Sequence, residues 1–140
     1  MLQTTSSRFS EGWIKPDLQE NQLSKYHYIV KGLDNFQMGE RVDIGAFTYI
    51  QADGGVIIED DVQIGGGCKI YSVSTIDDKK GQVILKRNCR IGANSVIMPG
   101  ITVGENAIVG ALTFLNIDVP ANTTFYKSNE EYFAKNNTFK

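Results

Sequence analysis

The residues that stand out for acid–base chemistry are one histidine and two aspartates. A single histidine, His27, stands in Tyr26-His27-Tyr28-Ile29-Val30. Two aspartates, Asp77 and Asp78, open the turn-like run Asp77-Asp78-Lys79-Lys80-Gly81. An imidazole within hydrogen-bond reach of a hydroxyl can act as its general base. A histidine between tyrosines also reads as a packing residue, and the aspartates as a solvated turn. Two cysteines, Cys68 and Cys89, are too few for a disulfide scaffold or a zinc site, and read as small apolar fillers. Lys79, Lys80, Lys86, Arg87 and Arg90 lie close in sequence and form either a phosphate-receiving group or a solvated face.

The chain that must position these groups has 140 residues, which argues for one domain. It is 41% hydrophobic, enough for a real core. A net charge of −2 argues against a nucleic-acid partner held by bulk positive charge. No apolar run approaches the roughly 20 residues of a membrane span. Met1 to Ser10 has no apolar stretch of the secretory type, so a cytoplasmic location is expected.

Glycine divides the chain. Residues 1–37 hold Gly12 and Gly32, residues 38–120 hold the other twelve, and residues 121–140 hold none. The middle repeats with a period of six: Leu85, Ile91, Ile97, Val103, Val109 and Leu115 are all aliphatic. The series also runs Ile58, Ile64, Ile70, Ile76 and, before a two-residue slip, Met38, Ile44, Ile50. Four residues after most stops stands a small or β-branched residue, such as Thr48, Cys68, Ser74, Cys89, Ser95, Ala107 or Thr113. A period of six fits neither helix nor simple strand, but it is a solenoid period. The reading is an all-β solenoid of about four triangular coils over 38–120, one flat side and one corner per repeat. Asp53-Gly54-Gly55 is the one hairpin-like signal in the middle. Pro16 and the acids after it suit a short helix within residues 1–37, with Trp13, Tyr26, Tyr28 and Phe36 to bury. Ser128 and Glu131 suit a capping box, opening a short helix through about Ala134 in the C-terminal extension.

The stretch IGANSVIMPGITVGENAIVGA, Ile91 to Ala111, resembles the signature of the hexapeptide-repeat acyltransferases, and the resemblance covers about residues 36–120. It implies a left-handed parallel β-helix, a homotrimer with active sites between prisms, and acetyl-CoA or another acyl-CoA as co-substrate. It places Ala93, Gly110 and Ala111 along the pantetheine arm and Asn116 near CoA. Ile117 stands where many members carry a cation.

Sugar acetyltransferases of this type carry a basic histidine in the loop after the unit that here reads Ile70-Tyr71-Ser72. The run Val73 to Gly81 has none. A sugar hydroxyl needs a base, whereas a neutral amine already carries its lone pair. The resemblance and this departure together imply transfer to the amino group of a nucleotide-linked amino sugar for surface glycan synthesis. Asp77 or Asp78 would orient the ammonium or take up its proton. The alternatives are a sugar O-acetyltransferase using His27 and a non-catalytic trimeric module. A γ-carbonic anhydrase type of site needs three histidines, and one per chain does not supply them within a subunit.

Overall fold

The computed structural model describes residues 12–126. They form a left-handed parallel β-helix of about five turns, with short strands on three flat faces. Face one is built from Ile29–Lys31, Tyr49–Gln51, Lys69–Tyr71, Val96–Ile97 and Phe114–Leu115. Face two holds Phe36–Met38, Val56–Ile58, Val83–Leu85 and Thr102–Val103. Face three holds Asp43–Ile44, Gln63–Ile64, Arg90–Ile91, Ile108–Val109 and Thr124–Phe125.

Period-two alternation within each side explains the six-residue repeat. The aliphatic stop and the residue two before it both point inward, and the one between points out. Ile50, Ile70, Ile97 and Leu115 are therefore fully buried, stacked in register behind face one. Thr48, Cys68, Ser95 and Thr113 line the narrower part of the same interior. The hydroxyls there are paired: Thr48 Oγ1 donates to Gly65 O at 3.1 Å, and Ser95 and Thr113 both donate to Gly110 O. Burial keeps both cysteines as thiols, with Cys89 pushed up to about 12.

The expected four coils become five because Ile29–Lys31 pairs in register with Tyr49–Gln51. Thr124–Phe125 likewise extends face three beyond residue 120. Successive register partners, Val30, Ile50, Ile70, Ile97 and Leu115, give coils of 20, 20, 27 and 18 residues. All of this variation falls at one corner. From face two to face three, and from face three to face one, the step is always six residues, as in Ile58 to Ile64 to Ile70. From face one to face two it is eight at Val30 to Met38 and at Ile50 to Ile58, fifteen at Ile70 to Leu85, and six at Ile97 to Val103.

That corner corrects the places expected for Ile76 and Ser74 in the repeat. Asp53-Gly54-Gly55 is a corner turn, closed by Gly55 N donating to Ala52 O at 2.8 Å, and is the source of the two-residue slip. The hairpin lies instead at Val73–Ser74 against Lys79–Lys80, antiparallel. Ile76 keeps the six-residue phase by coincidence: it sits in the hairpin turn, 95% exposed. Ser74 likewise leaves the interior for the hairpin, and the buried inward residue is Ser72.

The expected N-terminal helix is also absent: among residues 12–37 the only helical element is the single 3-10 turn Leu33–Asn35. Residues 13–18 run without helix across the first coil. Trp13 Nε1 donates to Val42 O at 3.1 Å, Lys15 Nζ to Met38 O at 2.7 Å, and Trp13 and Leu18 pack on the core. An extended chain covers more of an open coil end than a helix of equal length. The Glu20 carboxylate then accepts the amides of Gly32 and Leu33, the role its own helix would have denied it. The Ser128 helix falls outside the described residues.

Each remaining corner turns through a left-handed residue. Between faces three and one these are His27, Phe47, Gly67, Asn94 and Leu112, with φ between 58° and 73°. Between faces two and three they are Arg41, Asp61, Asn88, Asn106 and Asn122. Asparagine tolerates this conformation, and here its amides also stack: Asn88 Nδ2 donates to Asn106 Oδ1 at 2.8 Å and Asn106 Nδ2 to Asn122 Oδ1 at 3.2 Å.

Ile97→Ala is expected to cost about 2–5 kcal/mol in urea unfolding, and Ile97→Asp to prevent folding. Ile76→Asp should change the unfolding free energy by no more than about 0.5 kcal/mol, as exposed substitutions do. A large loss at Ile76 would contradict the hairpin placement.

A Cβ at Gly92 would run into the Ala111 backbone nitrogen of the next coil, whereas at Gly100 it meets nothing within 4 Å, although φ is +84°. Gly92→Ala should therefore cost about 3 kcal/mol by forcing coils apart. Gly100→Ala should cost only the left-handed strain, about 1–2 kcal/mol. Thermal unfolding of the pair checks the order.

Candidate functional site

Among the described residues, the corner after Tyr71 carries a cleft. The hairpin stands beside face one and encloses a cleft of about 480 Å³. Its floor is made by outward-pointing Tyr49, Gln51, Tyr71 and Met98, and its wall by hairpin residues Val73 to Asp77. The Tyr49 and Tyr71 rings meet edge to face with centroids 6.2 Å apart. Burial raises the Tyr49 phenol, which keeps it protonated and able to donate.

Asp77 lines this cleft. Ser74 Oγ donates to Asp77 Oδ1 at 2.7 Å, and Lys79 Nζ lies 3.6 Å from Oδ2. The Ser74 hydroxyl, with Lys79 adding to it, holds the Asp77 carboxyl below its ordinary range. Asp77 thus stays ionised, with Lys79 as its cationic partner within the chain. Asp78 occupies the left-handed position of the turn, φ 58°, and does not line the cleft.

His27 sits at the opposite edge of face one. Its carbonyl accepts from Phe47 N at 2.5 Å, its ring lies 6.2 Å from that of Phe47, and its side chain is exposed. Within one chain the fold keeps His27 and Asp77 apart, on opposite edges of the face. Ala93, Gly110 and Ala111 do come together, on the same corner as His27 but in later coils. Ala46, Gly66, Ala93 and Ala111 take equivalent places there, and Ala111 is exposed. This strip of small side chains leaves room for a thin extended chain to lie along the corner. Asn116 follows Phe114–Leu115 and is exposed at the other edge, away from Ala93 and Ala111.

The cations do not form one cluster. Lys79 and Lys80 are on the hairpin, Arg90 on face three, and Arg87 Nη2 pairs with Glu105 at 2.5 Å. Among the described residues no group of three or more His, Cys, Asp or Glu is placed to hold a metal. No helix there is long and apolar enough to cross a membrane.

The floor residues Tyr49, Tyr71 and Met98 carried no signal as chemistry. Their signal lay in the repeat: Tyr49 precedes the stop Ile50, while Tyr71 and Met98 follow Ile70 and Ile97. All three therefore point outward, and two outward aromatics on neighbouring coils of one face mark a surface for contact.

Two family profiles match the solenoid. The bacterial transferase hexapeptide profile matches residues 82–116, and the hexapeptide repeat of succinyl-transferase matches residues 38–74. The bifunctional protein GlmU of Brevibacillus brevis is 30% identical over 121 residues, covering 86% of this chain and 25% of its own length. The carnitine operon protein CaiE of a Proteus species is 31% identical over 56% of this chain and 46% of its own. The chain thus spans a quarter of GlmU and under half of CaiE. Among solved structures, a point mutant of AntD, an N-acyltransferase from Bacillus cereus, in complex with dTDP and coenzyme A, superposes with a TM-score of 0.60 at 17% identity, over 84% of this chain and 86% of that one. Neisseria gonorrhoeae serine acetyltransferase gives 0.58 at 19% identity, over 73% of this chain and 38% of that one. The inward ladder, the glycine-bearing corner and both profile matches rest on the same six-residue unit, and by that unit the chain belongs to the hexapeptide-repeat transferase family.

Proposed function

We propose that this protein is an acyl-CoA-dependent acyltransferase that transfers an acyl group, acetyl in the simplest case, to the amino group of a nucleotide-linked amino sugar for surface glycan synthesis. The observation that carries the reading is the cleft beneath the hairpin, with an ionised Asp77 in its wall and no imidazole from the same chain. The small-residue corner at Ala93, Gly110 and Ala111 suits the pantetheine arm. AntD, solved with dTDP and coenzyme A, supports both co-substrates by analogy of fold. Such substrates suit a cytoplasmic enzyme.

Asp77 holds the acceptor as its ammonium, and the amine reacts once it has lost a proton to solvent. The neutral nitrogen attacks the thioester carbonyl carbon, the carbon–sulfur bond breaks, and the thiolate leaves. The second nitrogen proton passes to the thiolate or to solvent. No step needs an enzyme base, which fits the missing loop histidine. CoA supplies the activated acyl group.

We also assign a homotrimer to the active form. The two edges of face one carry complementary halves of the reaction, the cleft on one and the small-residue corner on the other. Neighbouring copies related by rotation about an axis along the prisms bring unlike edges together. Ile108, Leu112 and Phe114, exposed around the small-residue corner of the last coil, supply apolar surface for that contact.

Thiol release from acetyl-CoA over a panel of nucleotide-linked amino sugars tests the activity. No turnover, with no CoA binding by calorimetry, overturns it. CoA binding without turnover favours a non-catalytic module. kcat/KM should rise with pH until the acceptor amine's own pKa is passed. His27→Ala should lose less than about tenfold. A loss of about 10²–10⁴ would instead make His27 a general base and the acceptor a hydroxyl. Asp77→Asn should raise the acceptor KM about tenfold, with a smaller effect from Asp78→Asn. Because the Asp77 carboxyl lies below its ordinary value, acceptor binding should persist into acid. Ser74→Ala should move that acid limit upward.

Light scattering should give about three times the 15.5 kDa chain mass. A monomer at micromolar concentration would remove the shared site.

A further inference from the structure

Left-handed backbone suits glycine and asparagine. Among the described residues eleven non-glycine residues have positive φ, and nine of them are polar. The other two are Phe47, φ 65°, and Leu112, φ 58°. Both stand on the corner between faces three and one, 71% and 75% exposed. A bulky side chain strains this conformation, and leaving it in water forgoes the gain of burial. The chain carries both costs at two positions where asparagine would carry neither. Strain of this kind persists where a further contact makes use of it.

Between the two, the same corner holds Gly67 and Asn94. The Asn94 side chain folds back over Gly67, into the space that a Cβ there would take. Counting coils from Val30, the corner is therefore high at the second, low at the third and fourth, and high again at the fifth. His27, in the first coil, lies behind Phe47. Three coil steps set Phe47 and Leu112 roughly 14 Å apart along the corner. A small ligand covers one of them, whereas another prism edge of the same pitch covers both.

The opposite edge of face one carries matching features at the same heights. In the fifth coil Ile117 follows Phe114–Leu115 and is 53% exposed. In the second coil Tyr49–Gln51 leads into Gly54 and Gly55, which have no side chains to hold a neighbour away. Tyr49 there is part of the cleft floor. Rotation about an axis along the prisms leaves heights unchanged. It brings Leu112 of one copy level with Ile117 of the next, and Phe47 level with the second-coil end of the cleft.

We propose that Phe47 and Leu112 are a pair of docking knobs for a second copy of this chain. Leu112 seats against Ile117 of the partner subunit, and Phe47 closes the end of the cleft beside Tyr49 of the partner subunit. This rests on the homotrimer assigned above and names the residue that a neighbouring copy adds to the site. The low stretch at Gly67 and Asn94 stays open between the two contacts.

The test places the photoreactive residue benzoylphenylalanine at position 47 or 112 of the full chain. Irradiated protein is separated on denaturing gels and mapped by mass spectrometry. Position 112 should cross-link to residues 114–119 of a second copy, and position 47 to residues 49–55 or 71–77. Light scattering over a dilution series adds a second readout. Phe47→Asn with Leu112→Asn should raise the concentration of half-dissociation at least about 100-fold. The dissociated chain should still unfold cooperatively, since asparagine suits both positions. Leu112→Met keeps an apolar side chain and should hold assembly within about threefold of wild type. Leu112→Asn and Ile117→Asn should each weaken assembly, and together by less than the product of the two. A wild-type monomer rejects the homotrimer and this inference with it. A wild-type trimer that survives the double substitution, or whose cross-links map elsewhere, rejects the knob assignment alone. Cross-links at these segments without thiol release from acetyl-CoA retain the docking and reject the acyltransferase reading.

Discussion

Everything in this molecule depends on stacking like on like at one coil's separation. Parallel strands sit about 4.8 Å apart, and every backbone group on a face must find its partner one coil along. That spacing limits how far an inward side chain can differ from its neighbours. Hence the columns Val30, Ile50, Ile70, Ile97, Leu115 and Val56, Val83, Ile101 are aliphatic, and the larger Phe36 and Tyr28 stand only in the first coil. The same spacing explains why Gly45, Gly65 and Gly92 face backbone of the following coil with no room for a Cβ. Such a fold has no centre. Stability is nearly a sum of coil-to-coil contacts, and the chain closes its first coil with the Trp13–Leu18 strap.

The inward ladder was legible in the sequence because its constraint repeats, and repetition is what a single chain displays well. Thirteen aliphatic stops could be read, and among the described residues only Ile76 proves wholly exposed. The misreading there is instructive. Ile76 lies six residues after Ile70, so period alone cannot tell a core residue from a hairpin residue that happens to share its phase. The chain leaves the coil after Ser72, where Val73 and Ser74 turn to pair with Lys80 and Lys79. The N-terminal strap was illegible for a related reason. Pro16 and Glu20 do carry local helix signals, but the open coil end and the free amides of Gly32 and Leu33 compete for the same residues and win.

The site was legible only in part. The corner containing Ala93, Gly110 and Ala111 repeats with the solenoid, and so those residues were found together. Asn116 shares their sequence neighbourhood but not their edge. Asp77 and Asp78 are adjacent, and only the dihedral angles of the turn tell the residue that faces the cleft from the one that does not. The tyrosines were visible as aromatics, yet their joint role needs the 20-residue coil that sets Tyr71 opposite Gln51 and one step from Tyr49. That coil length is a property of the assembled prism.

One edge of the prism absorbs every change in coil length, while the other two keep six-residue spacing without exception. The aliphatic columns on either side of the hairpin, Ile70 with Ile97 and Ile58 with Leu85, pair as though no extra residues intervened. Chain inserted at this edge is therefore nearly invisible to the core. An exchange of the segment between Ser72 and Val83 for one of another length or chemistry would rebuild the pocket wall and leave the scaffold untouched. The molecule thus separates what must be inherited intact from what can drift, and it confines the second to a single exchangeable cassette.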